Sequence, residues 1–122
     1  MTIATINLAQ KLSLFGDHWA PRIVGQVNDS LVKLVKLEGP FTWHHHEQED
    51  ELFLVVKGHL RMELRDGAHD VLPGEMIIIP KGVEHRPVGM GETHVLLVEP
   101  ATTVNTGSAT DDPRTTHDLA RI

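Results

Sequence analysis

The feature that most constrains the fold of this chain is a series of short β-type segments separated by turn residues. Apolar and β-branched residues concentrate in segments 31–37, 51–56, 59–65, 71–72, 76–80 and 93–100. Glycine, proline and charged residues separate these segments, and Asp66-Gly67 is a hairpin-turn signal. No helical periodicity lies between the segments. The sequence therefore predicts an all-β barrel or sandwich.

Two of these segments indicate which residues are buried. The stretch HLRMELR (59–65) alternates strictly between apolar and polar residues, as in a strand with one buried face. The stretch ELFLVV (51–56) is apolar on both faces, which is typical of a strand buried between two layers. Five large apolar side chains are candidates for the core, or else for a pocket wall: Phe41, Phe53, Met62, Met76 and Ile78.

The two ends of the chain lack this strand pattern. Leu8, Leu12 and Phe15 recur at helical spacing, and Asn7 followed by Gln10 is typical of a helix N-terminus, so we expect one short helix. Residues 16–25 contain glycine and proline that break regular structure. Residues 101–122 predict an extended tail that packs on the barrel or on a neighbour. We expect one domain over 1–122, with an N-terminal arm (1–29), a barrel core (about 30–100) and a C-terminal tail (101–122).

Composition excludes several classes of function. The chain has 122 residues and a formal net charge of −6, which argues against binding of nucleic-acid phosphates. It has no cysteine, so it has no disulfide framework, as is compatible with a reducing cytoplasm. We see no signal peptide at the N-terminus and no apolar stretch of membrane-spanning length. We therefore expect a cytoplasmic protein with no nucleic-acid partner and no membrane association.

Three consecutive histidines are the first candidates for chemistry. In extended chain His44 and His46 point to the same side and His45 points away. Glu51 begins a buried strand, where a carboxylate is costly unless it is paired or bound to a cation. Two imidazoles and a carboxylate are typical ligands of a divalent first-row metal. The alternative is that the histidines form a solvated loop and that Glu51 lies at the surface.

Neighbouring polar residues have simpler interpretations. Asp50 is a rival carboxylate, but strand alternation places it on the face opposite to Glu51, while Glu47 and Glu49 are expected in a charged loop. Four other histidines are expected at the surface, and His94 is left open between the surface and the pocket. Trp43 is expected to pack rather than to contact a substrate. The four surface histidines are His18, His59, His69 and His117.

Two stretches together resemble the paired motifs of the cupin family. Residues 39–58 resemble the first motif, in which His-x-His is followed by x4, Glu, x6 and Gly, and 74–85 resemble the second motif, G-x5-P-x-G-x2-H. Fifteen residues (59–73) separate the two motifs, as in microbial cupins. There are two departures, since Gly39 lies one residue closer to the first histidine than usual and Gly89 stands where the second motif often has Asn. Gly58 and Gly82 are expected in tight turns where a Cβ would clash.

The resemblance implies a fold, a metal site and an assembly. It implies a double-stranded β-helix that binds one divalent transition-metal ion per chain, without deciding among Fe, Mn, Ni, Co and Zn. The wider chain is similar to small stand-alone cupins labelled mannose-6-phosphate isomerase-like, and cupins of this size are commonly homodimers. The metal ligands that the resemblance implies are His44, His46, Glu51 and His85.

Two functions follow from such a site. Four protein ligands leave one or two metal positions open, as in catalytic sites. We therefore expect an enzyme that acts on a small polar or anionic metabolite by isomerase- or dioxygenase-type chemistry, although no catalytic base is visible in the sequence. The alternative is a module that binds or senses a small molecule without turnover. A purely structural barrel is disfavoured because all four ligand positions are filled.

Overall fold

The computed structural model describes residues 2–122 as an all-β protein with one short helix. The strands form a double-stranded β-helix, the fold that the motifs imply. In chain order the elements are α1 (Leu8–Leu12), β1 (Arg22–Val27), β2 (Ser30–Pro40), β3 (Glu51–Lys57), β4 (Leu60–Leu64), β5 (Gly67–Val71), β6 (Met76–Ile79) and β7 (His85–Pro100).

The strands pair antiparallel around the long strand β7. The main sheet has the order β1-β2-β7-β3-β6, while β4 pairs with β5 and with the first part of β7. Because β7 has sixteen residues, it contributes to both groups of strands. The inward side chains of these strands form one apolar core: Val35, Leu37, Phe53, Val55, Leu60, Met62, Val71, Ile79, Val95 and Leu97.

The predicted helix is present and lies outside the barrel. Asn7 is its N-cap, since its side-chain oxygen accepts a hydrogen bond from the Gln10 backbone N–H at 3.0 Å. Leu12 is buried and forms a second apolar cluster with Leu34 of β2, against which Leu8 and Phe15 also pack. The helix therefore covers part of the outer face of the main sheet.

The prediction of irregular chain over residues 16–25 is wrong for the last four residues of that segment. Strand β1 begins directly after Pro21 and runs through Gly25. The pairing of β1 with β2 shifts register between Ile23 and Gly25, so the strand continues through the glycine with a local irregularity. The barrel sheet thus starts inside the segment that was assigned to the N-terminal arm.

Two strands extend beyond their predicted ranges. Strand β7 starts at His85 rather than at residue 93, and β5 covers 67–71 rather than 71–72. Most of the added residues are polar, glycine or proline, so the β-propensity of these stretches is low and pairing with β4 defines them. The predicted hairpin is confirmed, but Leu64 pairs with Gly67, so its two-residue loop is Arg65-Asp66 rather than Asp66-Gly67.

The core assignment of Met76 and Ile78 is wrong. Their exposed fractions are 60% and 53%, whereas Ile79 is buried. The run MIII has no polar residue to mark its outer face, so only pairing with β3, which places Ile79 opposite Glu51, decides which side points inward. Phe41, Phe53 and Met62 are buried, as predicted.

Gly58 and Gly82 are required to be glycine for different physical reasons. A Cβ on Gly58 would lie 2.4 Å from the carbonyl oxygen of Glu92, so the predicted clash is confirmed. A Cβ on Gly82 would meet nothing within 4 Å, and this position requires glycine because its φ is +82°. The two departures from the motifs, Gly39 and Gly89, are opposite each other in the pairing of β2 with β7.

The C-terminal tail packs on the barrel through backbone hydrogen bonds. Ile23 of β1 donates to Ala120 at 2.9 Å and accepts from Ile122 at 3.0 Å. Further along the barrel, the Ser108 N–H donates to the carbonyl of His45 at 3.0 Å. The described part of the chain contains no helix that is long and apolar enough to cross a membrane.

Candidate metal centre

The backbone places His44 and His85 side by side at one end of the core. Residue 85 begins β7, and residue 44 lies in the extended chain between β2 and β3. The two residues form an antiparallel bridge, in which the His44 N–H donates to His85 O at 3.1 Å and the His85 N–H donates to His44 O at 2.9 Å. Their imidazole centroids are 4.3 Å apart.

His46 and Glu51 complete a cluster of four buried residues, which we call the quartet (His44, His46, Glu51 and His85). Glu51 Oε1 lies 3.4 Å from His46 Nε2 and 3.4 Å from His85 Nε2. All four potential ligand atoms lie within 4.8 Å of one another. No member is more than 4% exposed. The structure therefore brings together the four residues that the motifs single out.

Backbone carbonyls fix the orientation of two of the imidazole rings. His44 Nδ1 lies 3.0 Å from Thr42 O, and His85 Nδ1 lies 2.9 Å from Val83 O. A carbonyl oxygen only accepts, so each Nδ1 carries the proton and donates it. The lone pair of a neutral ring is then on Nε2, and an outer hydrogen bond of this kind is usual for metal-binding histidines.

The quartet contains buried polar atoms that lack hydrogen-bond partners. Within the described residues these include His46 Nε2, His85 Nε2 and Glu51 Oε1, and all three point to the same place. Unsatisfied buried polar atoms are rare and costly in proteins. Three imidazoles and one carboxylate are suitable ligands for a divalent transition metal, so these residues fit a cupin metal site.

The electrostatics of the quartet favour ligands in their metal-binding forms. Burial, reinforced by the neighbouring His85, lowers the pKa of His44 to about 4, so this imidazole is neutral at physiological pH. Burial by itself raises the pKa of Glu51, but the neighbouring Glu99, His46 and His85 side chains outweigh burial and hold that pKa well below its usual range.

A buried ion pair that the sequence did not predict lies next to the quartet. Lys33 of β2 and Glu99 of β7 are each 2% exposed, and Lys33 Nζ donates to Glu99 Oε1 at 2.7 Å. Burial raises the pKa of Glu99, and the nearby Glu51 carboxylate adds to this increase while Lys33 opposes it. A sequence signal existed, because Glu99 is in phase with Val95 and Leu97 on the inward face of the last strand.

The quartet adjoins a narrow, partly open pocket. His44 and Glu51 contribute to its wall, together with Glu99 and Asn105. The other lining residues are apolar or aromatic: Trp19, Pro21, Val35, Leu37, Phe41, Phe53, Pro87 and Leu97. Such a mainly apolar cavity with a few convergent polar groups is typical of small-molecule sites.

Both chain ends contribute to this region. Trp19 has a left-handed backbone with φ of 61°, and its ring stacks on Phe41 at 4.5 Å between centroids. The Trp19 indole N–H donates to Glu38 O at 3.2 Å. From the tail, the Arg114 guanidinium lies 4.4 Å from the centroid of Phe41, and its backbone carbonyl accepts from Asn105 at 2.8 Å. Strain at Trp19 is the kind that tertiary contacts maintain near functional sites.

The polar neighbours of the quartet point elsewhere. His45 is half-buried and contacts Glu47 rather than the quartet. Asp50 is exposed and accepts a hydrogen bond from the Lys81 N–H at 2.9 Å, as expected for the face opposite to Glu51. Glu49 accepts from Thr102 at 2.9 Å. The predicted facing of the His44–His46 segment is therefore confirmed.

The remaining histidines and Trp43 lie outside the pocket. His94 is half-buried and faces outward, where it bonds to Glu92 at 2.8 Å. His18 forms a second possible ligand group with Glu38 and Glu92, but both carboxylates are exposed and His18 already pairs with Glu92 at 2.6 Å. Trp43 stacks under the Arg65 guanidinium at 3.8 Å. His59 is half-buried, and His69 and His117 are exposed.

Comparison with known proteins agrees with this geometry. The family described as "Cupin domain" matches residues 31–99, which include the whole quartet. An uncharacterized protein of Bacillus subtilis (strain 168), YdbB, is 39% identical over 77 residues, which is 62% of this chain and 68% of that protein.

Two solved structures are similar to this chain. A cupin-2 domain containing protein from Shewanella frigidimarina is 46% identical with a TM-score of 0.77, over 78% of this chain and 93% of that one. A structure described as a sugar phosphate isomerase from a cupin superfamily, from Silicibacter pomeroyi, is 28% identical with a TM-score of 0.54, over 62% of this chain and 53% of that one.

Proposed function

This chain belongs to the cupin family, and we propose that it is a metal-dependent enzyme that acts on a small metabolite. The observation that carries the proposal is the connection between the quartet and the pocket, since His44 and Glu51 belong to both. A closed structural metal site needs no adjoining cavity, whereas a catalytic site must admit a substrate beside the ion.

The quartet would hold one divalent transition-metal ion, and Fe, Mn, Ni, Co and Zn are all compatible with its ligands. When bound, such an ion supplies Lewis acidity that polarises a carbonyl oxygen. The protein contributes the surroundings. Thr42 O and Val83 O orient two imidazoles, Glu51 brings the only negative charge of the quartet, and the apolar walls exclude water from the pocket.

Of the two reaction types, we favour isomerase-type over dioxygenase-type chemistry. The similar cupin from Silicibacter pomeroyi is described as a sugar phosphate isomerase. A buried carboxyl, Glu99, also lines the pocket beside Glu51 and is a group on which a proton can be held during isomerisation. A proton that moves between neighbouring carbons of a carbonyl compound needs such a group within reach.

The test is exchange of carbon-bound protons in deuterated water. Metal-loaded protein is incubated with small diketones and with hydroxycarbonyl compounds, phosphorylated and unphosphorylated, and exchange next to the carbonyl is followed by NMR. We expect metal-dependent exchange with at least one class. Glu51→Gln should abolish it, because the ligand charge is lost while the shape is kept, and His45→Ala is the matched control that should retain it.

If a compound binds to the metal-loaded protein without exchange or any other turnover, the protein is a non-catalytic binding or sensing module rather than an enzyme. Exchange that continues at the wild-type rate in Glu51→Gln would place the chemistry outside the quartet. Either result contradicts the proposed function.

A further inference from the structure

A buried carboxyl oxygen beside the quartet has no partner in the described part of the protein. Glu99 is 2% exposed and lines the same pocket as His44 and Glu51. Lys33 Nζ donates a hydrogen bond to Glu99 Oε1 at 2.7 Å, but Glu99 Oε2 is buried without a hydrogen-bond partner. The unpaired oxygen belongs to a side chain that the pair with Lys33 holds in one place.

An arrangement of this kind points to a ligand. A buried ion pair contributes little to stability compared with apolar residues of similar size, and a buried polar atom without a partner is costly. Lys33 and Glu99 are 66 residues apart in sequence and meet only inside the barrel. A hydroxyl group in the pocket would satisfy the free oxygen. Because a hydroxyl both donates and accepts, it can pair with this carboxyl whether or not the carboxyl carries a proton.

The rest of the wall restricts what the ligand can carry. Eight of the twelve residues that line the pocket are apolar or aromatic, and none of the twelve is lysine or arginine. The ammonium group of Lys33 is already paired with Glu99. Proteins bind phosphate groups through arginine, lysine or clustered backbone N–H donors. A phosphorylated ligand would therefore bring two negative charges to a wall with no lysine or arginine to bind them.

Resting on the function proposed above, we propose that this pocket takes an unphosphorylated α-hydroxycarbonyl compound with an apolar body. The carbonyl faces His44 and Glu51, and the hydroxyl pairs with Glu99. The two polar groups of the ligand must be on neighbouring carbons because Glu51 and Glu99 lie side by side on β3 and β7, one position beyond the Leu52–Val98 pair. The apolar body packs on the aromatic side chains of the wall.

Trp19 provides a direct readout of binding. The chain has two tryptophans, and Trp19 lines the pocket while Trp43 does not. Zinc-loaded protein is titrated with 2-hydroxyacetophenone and with acetophenone, which lacks only the hydroxyl, while the two indole N–H signals are followed by NMR. The same titration compares dihydroxyacetone with dihydroxyacetone phosphate. Trp19 should shift and Trp43 should not.

We expect 2-hydroxyacetophenone to bind about tenfold more tightly than acetophenone, the scale of one hydrogen bond to a buried ionisable group. Dihydroxyacetone phosphate should bind no more tightly than dihydroxyacetone. The matched variant is Lys33→Met combined with Glu99→Leu, which replaces the buried pair by apolar residues of similar size and should keep the fold. In this variant the preference for the hydroxyl should disappear, while zinc content stays at the wild-type level.

The possible failures are distinguishable. Protein that takes up no metal under any condition would overturn the proposed function and this inference with it. Metal-loaded protein that binds both acetophenones equally, or that retains the preference in the double variant, would overturn the inference about Glu99 alone. Tighter binding of the phosphorylated ketone would overturn the exclusion of phosphate.

Discussion

The two histidines at positions 45 and 46 are adjacent in sequence and have opposite surroundings. His46 is 4% exposed and faces Glu51, whereas His45 contacts Glu47. We predict that His46→Ala loses most of its metal, with a loss of affinity beyond the ~10–100-fold that removal of an outer partner costs. Elemental analysis of protein purified and reconstituted in parallel measures this.

His45→Ala is the control for that experiment and should retain close to one ion per chain. Equal loss of metal in the two variants would contradict the assignment of faces. Absence of metal from the wild-type protein, both as purified and after reconstitution, would contradict the metal site as a whole.

The buried imidazole of His44 should make the metal-free protein sensitive to acid. Its pKa is about 4 in the folded protein and near 6.5 when the chain is unfolded. Between these values the unfolded chain binds a proton that the folded protein does not, so stability falls as pH decreases from 6.5 towards 4. At ~1.4 kcal/mol per pKa unit the full loss from this residue is about 3 kcal/mol.

Urea denaturation of the metal-free protein at neutral and mildly acidic pH measures this dependence. His44→Gln cannot titrate at this position, so its stability should depend less on pH by about the same amount. If the wild-type protein and His44→Gln lose stability in parallel between pH 6.5 and 4, the lowered pKa of His44 is not the cause.

At the scale of elements, the C-terminal tail supports the segment that carries two of the histidines. The Ser108 N–H donates to His45 O, and Ser108 Oγ accepts from the His45 N–H. A Cβ on Gly107 would lie 2.3 Å from His45 O and 3.1 Å from His44 Cδ2. We predict that Gly107→Ala displaces the tail from this segment, lowers stability by about 1–3 kcal/mol and weakens metal binding.

Thermal denaturation and metal titration measure both effects. Gly16→Ala is the matched control, since a Cβ there meets nothing within 4 Å, and it should be close to neutral. If Gly107→Ala retains wild-type metal affinity and stability, the tail does not support the site.

At the scale of the whole molecule, the core does not depend on the quartet. The main apolar cluster contains ten buried residues, none of them a member of the quartet. Burial of these side chains should keep the barrel folded without metal. A bound metal ion should stabilise the folded protein by ~3 kcal/mol. Because each kcal/mol shifts Tm by ~3–5 °C in a domain of this size, we predict that chelation lowers Tm by about 10 °C.

Circular dichroism of the metal-free protein at room temperature checks this expectation. An unfolded spectrum would contradict it and would mean that the ion is a structural component rather than part of a working site.

We also propose that the protein is a homodimer that uses the outer face of the main sheet. Two apolar rows cross this face, one through Val98, Leu52 and Ile78 and the other through Leu96, Leu54 and Met76. Met76 and Ile78 are more than half exposed at the sheet edge, where an apolar surface favours association. Combined Met76→Glu and Ile78→Glu should give a monomer with unchanged metal content.

Light scattering at micromolar concentration measures the mass. Met90→Glu, which places a charge on another exposed apolar residue, is the control and should remain dimeric. A monomeric wild-type protein would contradict the dimer, and a dimeric double variant would contradict this interface.

The strand-rich fold was predicted from local patterns in the sequence, and the quartet from the resemblance of two short stretches to the cupin motifs. Both depend on local rules, since alternation along a strand fixes which residues share a face, and the spacing from His44 to His46 to Glu51 lies within a single short segment. His85 was identified through its own short motif. The backbone bridge between His44 and His85 then joins the two motifs in space.

The surroundings of the quartet became known only from the packing of the strands. Strand pairing turned Met76 and Ile78 outward and extended β7 back to His85, because neither the run MIII nor the mixed stretch 85–92 marks its own buried face. Lys33 and Glu99 are far apart in the chain, and they meet as a buried pair because β2 and β7 are neighbours in the sheet. Contacts between residues far apart in the chain depend on how the strands pack, and local patterns carry no record of them.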